Sequence, residues 1–257
     1  MGIVNVTPDS FSDGGLHASA AAAIAHAEKL LSQGAHILDI GGESSRPGAE
    51  GVSVEEELLR VLPVIRALRD FPVPIAVDTV KPDVMRAAID AGASMINDIK
   101  ALQAPGAVDI VAASDAAVCL MHMQGEPRSM QLNPAYGDVV GEVGSFLGGR
   151  AAAAMAAGIG RERIVIDPGF GFGKSVDDNF DLLARLDDIC RLGFPVLAGL
   201  SRKSMLGAAT GKPVGDRASA SVAAAVLALE RGATIIRVHD VAETVDALGV
   251  FNALTRR

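Results

Sequence analysis

Polar and charged side chains recur in this chain directly after short apolar runs, a pattern that could assemble one chemical site. The residues in these positions are Asn5, Asp39, Glu43, Asp78, Asn97, Asp98, His122, Asp167, Ser201, Arg202, Lys203, Arg237 and His239. A single residue of this kind is commonly a helix N-cap. Capping alone does not explain so large a set, so we interpret the set as a binding or catalytic site.

Cations and hydroxyls concentrate near the last two apolar runs. The segment SRKS at 201–204 supplies two cations and two hydroxyls, and Arg237 and His239 follow two residues apart. Side chains at this spacing point to the same side of a strand. Phosphate binding is the natural use of such a group. An arginine paired with a carboxylate of the sheet, with a histidine capping the next helix, is the alternative that the sequence leaves open.

A glycine-rich run, DPGFGFGKS at 167–175, invites a nucleotide-binding interpretation that its spacing excludes. A P-loop needs glycine five residues before Gly173, and that position holds Pro168. A dinucleotide fingerprint fails as well, because its last glycine would fall on Lys174. The run still lets a flat ligand approach the backbone closely, with Phe172 beside it. A tight turn between strand and helix is the alternative.

We predict no metal-ligand triad, since no zinc-type spacing of Cys and His occurs.

Two long segments rich in Gly, Pro, Ser and Asp, at 5–15 and 41–48, predict loops. They are either plain surface connections or lids over a site. Phe11 in the first and Arg46 in the second favour lids, because a lid needs side chains that gain contacts when it closes.

Eight apolar, β-branched runs alternate with amphipathic helical stretches and predict the elements that position these residues. The predicted strands are 2–6, 36–40, 74–77, 94–96, 117–121, 163–166, 195–198 and 234–238. Apolar positions 58, 61, 62, 65 and 68 predict one helix face, and Ser53 with Glu56 predicts that this helix begins near residue 53. Strict alternation predicts parallel strands. We therefore expect an α/β fold, a single-domain (β/α)8 TIM barrel over residues 1–257, with a doubly wound open sheet as the alternative.

Composition narrows the function classes. The net charge of −8 argues against nucleic-acid partners and against anionic membrane surfaces. Cys119 and Cys190 are far apart and are expected to be reduced core residues, which is typical of a cytoplasmic protein. We find neither a signal peptide nor an apolar run long enough to span a bilayer.

Eight strings, in order along the chain, resemble the dihydropteroate synthase family. They are NVTPDSFSDGG (5–15), DIGGESSRPGA (39–49), VDT (77–79), IND (96–98), MHMQG (121–125), DPGFGFGKS (167–175), GLSRKS (199–204) and RVHDV (237–241). Ser45 stands where many relatives have Thr, which keeps the hydroxyl. Relatives usually begin earlier than Met1, which leaves open that an upstream segment is missing.

This resemblance implies a pterin-binding (β/α)8 barrel and a transferase of folate biosynthesis. The reaction joins 6-hydroxymethyl-7,8-dihydropterin diphosphate to p-aminobenzoate and yields 7,8-dihydropteroate and pyrophosphate. Members of the family are usually homodimers that need Mg2+. Sulfonamides compete with p-aminobenzoate. A pterin-binding methyltransferase-like domain and a catalytically silent pterin-binding module are the alternatives.

Matching positions imply a role for each motif residue. Pterin binding falls on Asp78, Asn97, Asp167, Lys203 and Arg237. Binding of p-aminobenzoate falls on Phe11, Ser45, Pro47, Phe172 and Ser204. Diphosphate binding falls on Asn5, Arg237 and His239, with Asn5 also the Mg2+ contact. Catalysis falls on Arg46, Lys203, Arg237 and His239. We expect early loss of diphosphate, and therefore no strong general base.

Overall fold

The computed structural model describes residues 1–6, 15–44 and 51–255. Eight strands occur in these residues: β1 (Gly2–Asn5), β2 (Leu38–Gly41), β3 (Ile75–Asp78), β4 (Met95–Asp98), β5 (Ala117–Met121), β6 (Ile164–Asp167), β7 (Leu197–Ala198) and β8 (Ile235–Ile236). Each predicted strand overlaps an observed one. The main difference is that β3, β4 and β6 extend to include the polar residues that we expected just after them.

Ten helices alternate with these strands in the same described residues. They are α1 (Gly15–Ser32), α2 (Val54–Leu68), α3 (Pro82–Ala91), α4 (Ala107–Ala112), α5 (Val139–Ala156), α6 (Val176–Ala184), α7 (Leu186–Cys190), α8 (Ser204–Thr210), α9 (Ala218–Glu230) and α10 (Val241–Thr255). None of them is both long enough and apolar enough to cross a membrane.

The strands close into a ring. β1 to β6 pair in chain order with every pair parallel, and β7 pairs with β8. A bridge between Ile166 and Val196 joins β6 to the β7 side. A second bridge, between Gly2 and Val238, joins the β8 side to β1, and Ile3 N donates to Val238 O at 3.1 Å. The predicted (β/α)8 barrel is confirmed, and the open doubly wound sheet was the wrong alternative.

Helix α2 shows how the outer layer forms. Ser53 is its N-cap and accepts a hydrogen bond from Glu56 N at 3.1 Å, so the helix begins where the sequence predicts. Val61, Ile65 and Leu68 are buried on one face and belong to the large apolar core between the helices and the barrel. The predicted helix face is therefore confirmed.

A second, smaller apolar cluster fills the barrel interior. It consists of Ala76, Met95, Cys119, Val165 and Leu197, one residue from each of five consecutive strands. Because side chains alternate along a strand, the residue two positions later points to the same interior. Those residues are Asp78, Asn97, Met121, Asp167 and Gly199. The apolar cluster thus forms a floor beneath the carboxyl ends of the strands.

Both cysteines are free, as expected. Cys119 is fully buried in the floor, and Cys190 is half-buried at the end of α7. Burial raises the pKa of the Cys119 thiol well above its usual value. This cysteine is therefore a small apolar residue of the interior rather than a reactive thiolate.

We predict that the floor contributes strongly to stability. Leu197→Ala leaves a cavity in the closed ring, so the free energy of unfolding in urea should fall by about 2–5 kcal/mol. The matched control is Leu59→Ala on α2, since Leu59 is 59% exposed. That variant should stay within about 0.5 kcal/mol of the parent. Equal losses from the two variants would show that the floor is not a packed core.

Candidate active site

A pocket opens at the carboxyl ends of the strands, above the apolar floor. Its lining is Ile3, Asp78, Asn97, Ile99, Met121, Asp167, Gly169, Phe170, Phe172, Gly199, Ser201, Lys203, Arg237 and His239. All five residues expected to bind pterin lie in this lining. Residues as far apart as Asp78 and Arg237 meet here because each stands near the end of a barrel strand.

Arg237 joins two carboxylates across the mouth of the barrel. Its Nε lies 2.6 Å from Asp39 Oδ2, and its Nη2 lies 3.1 Å from Asp78 Oδ2. Asn97 Nδ2 donates to the same Asp39 oxygen at 3.1 Å. The arginine is therefore paired with carboxylates of the sheet, which was the alternative to phosphate binding. Because the guanidinium has five N–H donors, this pairing does not use all of its capacity.

Asp39 is a site residue to which sequence reasoning gave no role. Its side chain is fully buried, and no donor among the described residues reaches its Oδ1. The signal in the sequence was its place in the predicted strand 36–40, two residues after the apolar Ile37, and Ile37 packs against the interior floor. The strand period therefore predicts an inward side chain at 39.

Burial shifts the ionisation of the charged groups in the pocket. It raises the pKa of Asp78 to about 7, although Arg237 acts in the opposite direction. Burial also raises the pKa of Asp167, against the hydrogen bond from Gly169 N. For Lys203, burial lowers the pKa to about 8, while Asp167 raises it. Asp39 and Asp78 together outweigh burial at Arg237 and raise its pKa, so that guanidinium stays charged.

The glycine-rich run after β6 forms a tight loop over one side of the pocket. Gly169 N donates to Asp167 Oδ1 at 2.7 Å. Gly169 has φ 69°, and a Cβ there would lie 1.9 Å from His122 O, so glycine is required. The Phe172 ring lies 4.2 Å from Lys203 Nζ, a cation–π contact. The loop thus places an aromatic wall beside a half-buried cation.

The region after β7 and β8 contributes fewer cations than the sequence suggested. Arg202 pairs with Asp240, with Nε 3.0 Å from Oδ2, and does not belong to the pocket lining. Lys203 and Arg237 are the cations of that lining. Ser201 Oγ lies 3.0 Å from His239 Nδ1, which fixes the imidazole at the pocket edge. His239 N also donates to Ser201 Oγ at 3.2 Å.

Several predicted residues lie outside the pocket lining. Asn5 ends β1 half-buried, with its Oδ1 3.9 Å from the position that a Cβ of Gly41 would take. Ser204 is exposed at the first position of α8. Phe11, Ser45, Arg46 and Pro47 lie outside the described residues. Within the described part of the chain, no group of three or more His, Cys, Asp or Glu could hold a metal ion.

Comparisons with known proteins identify the family. The model of the pterin binding enzyme family matches residues 1–239. A dihydropteroate synthase of Haemophilus influenzae is 52% identical over 98% of this chain and 92% of its own length.

Two solved structures are similar over nearly the whole chain. A Xanthomonas albilineans dihydropteroate synthase with 4-aminobenzoic acid has a TM-score of 0.94 and 57% identity, and covers 99% of this chain and 92% of its own. A Yersinia pestis dihydropteroate synthase in complex with a sulfonamide drug has a TM-score of 0.95 and 49% identity, and covers 100% and 94%. The chain therefore belongs to the pterin-binding enzymes and, within them, to the dihydropteroate synthase family.

Proposed function

We propose that this protein condenses 6-hydroxymethyl-7,8-dihydropterin diphosphate with p-aminobenzoate to form 7,8-dihydropteroate and pyrophosphate. The observation that carries the proposal is a single pocket lined by Asp78, Asn97 and Asp167 together with Lys203 and Arg237. The acceptors suit the N–H groups of a pterin, and the cations suit a diphosphate. Membership in the dihydropteroate synthase family supports the same reaction.

Pterin recognition falls to the carboxylates and the amide. The pyrimidine edge of a pterin has adjacent N–H donors, and the buried carboxylate of Asp167 can accept both. Asn97 is held by the hydrogen bond from its Nδ2 to Asp39. Because Asp39 accepts this bond, the amide orientation is fixed, and the Asn97 oxygen remains for a ring donor. Asp78 reads a further ring edge.

Bond cleavage falls to the cations. The C–O bond to the diphosphate breaks early, because the dihydropterin delocalises the methylene cation that forms. Negative charge grows on the departing pyrophosphate, where Arg237 and His239 stabilise it. The amine nitrogen of p-aminobenzoate then bonds to the methylene carbon and loses its proton to water. No residue is assigned as a strong general base.

Mg2+ fits this site only as a partner of the diphosphate. Asn5 offers one amide oxygen, and Mg2+ commonly keeps waters and takes other ligands from phosphates. When bound, the ion neutralises charge on the leaving group. Asn5 would hold it beside Arg237 and His239.

The slot for p-aminobenzoate includes residues inside and outside the described part of the chain. Phe172 forms one wall, and Ser204 would meet the carboxylate at the rim. Phe11, Ser45 and Pro47 would complete the slot, and Arg46 would close over it as a catalytic residue. We further propose one barrel domain over residues 1–257, a homodimer and a cytoplasmic location.

A coupled measurement tests the proposed function. The protein is mixed with dihydropterin diphosphate, p-aminobenzoate and Mg2+, and pyrophosphate and dihydropteroate are quantified together. We expect equal amounts of both products and competition between a sulfonamide and p-aminobenzoate. Pyrophosphate alone would indicate a hydrolase. Tight pterin binding without product would indicate a silent binding module.

Loss of either pocket cation should slow the reaction. We expect Lys203→Ala and Arg237→Ala each to cost about 2–4 kcal/mol of transition-state stabilisation, measured as kcat/KM. The matched controls are Lys29→Ala and Arg86→Ala, which remove the same side chains from exposed positions on α1 and α3. Turnover of a pocket variant within about twofold of its control would contradict its assignment.

The lowered pKa of Lys203 predicts an alkaline limit to activity. Burial brings this pKa to about 8, so above that pH the free enzyme loses the ammonium charge. We therefore expect kcat/KM for the pterin diphosphate to fall above pH 8. Lys203→Arg keeps its charge and should lack this limb, whatever its absolute rate. An unchanged alkaline limb in that variant would show that another group titrates.

A further inference from the structure

Another lysine, Lys174, is buried and does not belong to the pocket lining. Its side chain is 2% exposed, and its Nζ has four acceptors within hydrogen-bond distance. These are His122 Nδ1 at 3.0 Å, Gly169 O at 2.9 Å, Phe172 O at 3.1 Å and His122 O at 3.4 Å. None of the ion pairs found in the described residues includes it. A fully buried lysine with no carboxylate at hydrogen-bond distance, as here within the described residues, is rare, so its position calls for a role.

The neighbouring histidine accepts from the Lys174 amino group, which keeps N–H donors in either protonation state although burial lowers its pKa to about 7. Burial, and then the charge of Lys174, lower the pKa of His122 to about 3, so the imidazole is neutral. A neutral imidazole accepts at one nitrogen, and Nδ1 is the one that faces Lys174. The ring is fixed from another side by an edge-on contact with Phe146, with centroids 5.0 Å apart.

Two backbone carbonyls of the loop after β6, those of Gly169 and Phe172, accept hydrogen bonds from Lys174. Phe172 N also donates to Gly169 O at 3.1 Å, so both ends of this short turn converge on one place. Gly171 N, between them, donates to Asn179 Oδ1 at 2.6 Å. The carbonyls of Gly169 and Phe172 thus face the buried Lys174, and the Phe172 ring lies on the pocket side near Lys203.

We propose that Lys174 is a positioning residue that fixes the Phe172 wall of the arylamine slot by tying the loop after β6 to His122. The proposal rests on the proposed function, in which Phe172 faces p-aminobenzoate. Asp78 and Asn97 are held by barrel strands and do not depend on this loop. Loss of Lys174 therefore weakens the arylamine side of the site more than the strand-borne part of the pterin side.

The first test is the split between the two substrates. Lys174→Met keeps an unbranched side chain, shorter by one atom, and removes every donor. Its KM for p-aminobenzoate should rise by about tenfold or more, and its KM for dihydropterin diphosphate by a clearly smaller factor, because Asp167 alone of the three pterin acceptors is bonded to this loop. Lys174→Arg restores donors and should recover part of the loss. Lys29→Met, at an exposed position, is the matched control. Equal changes in both KM values, or none, would overturn the proposal.

A second variant covers the case in which Lys174→Met does not fold. His122→Phe removes only the ring acceptor and leaves the carbonyls with Lys174. It should raise the KM for p-aminobenzoate in the same direction by a smaller factor. An unchanged KM for p-aminobenzoate in folded His122→Phe would overturn the proposal.

A reporter independent of activity separates this proposal from the proposed function. The chain has no tryptophan, so Phe172→Trp introduces a single tryptophan at the wall, which can be excited apart from Tyr136. Adding Lys174→Met to it should lower the emission anisotropy and increase quenching by iodide, whereas adding Lys174→Arg should give smaller changes in both. Identical signals in all three proteins would refute positioning by Lys174. An inactive parent with the expected fluorescence changes would instead refute the proposed function alone.

Discussion

The Arg237 bridge between Asp39 and Asp78 is the interaction on which the other site residues depend. Each buried charge costs several kcal/mol unless it is paired and hydrogen-bonded. Asp39 is fully buried and also holds Asn97, so one carboxylate orients both an arginine and an amide. Without the guanidinium, Asp39 and Asp78 would repel each other above an apolar floor. The ion pairs of Arg237 with Asp39 and Asp78 therefore set the geometry of the pocket before a ligand binds.

The apolar floor explains why the pKa values of the charged residues above it are strongly shifted. Ala76, Met95, Cys119, Val165 and Leu197 close the barrel interior directly beneath the polar residues. Their side chains exclude water from below, so burial is the largest influence on the pKa of Asp78, Asp167 and Lys203. The two-residue period of a strand places an apolar floor and a charged site on the same inner face.

Much of this arrangement could be predicted from the sequence. Strand periodicity is a local signal, and eight strand–helix units in a row predict closure into a barrel. They bring Asp78, Asn97, Asp167 and Arg237 together without any contact being known. Pairings between distant residues could not be predicted in this way. No local sequence pattern predicts that Arg237 pairs with Asp39, or that Arg202 pairs with Asp240. Sequence spacing singles out Lys174 only where the dinucleotide fingerprint fails, and its role could not be predicted because its acceptors are mostly backbone carbonyls.

The burial that shifts the pKa values of Asp78 and Lys203 also suits these residues to their proposed ligands. An Asp78 carboxyl with a pKa of about 7 is close to balance between its two states near neutral pH. A pterin that donates N–H groups offsets the cost of the ionised form. An anionic diphosphate likewise favours the protonated form of Lys203. Each part of the substrate then stabilises the charge state that binds it, while the half-buried Arg237 stays charged throughout. A site of this kind stabilises a departing diphosphate without a general base, because the Arg237 charge is in place before the bond breaks.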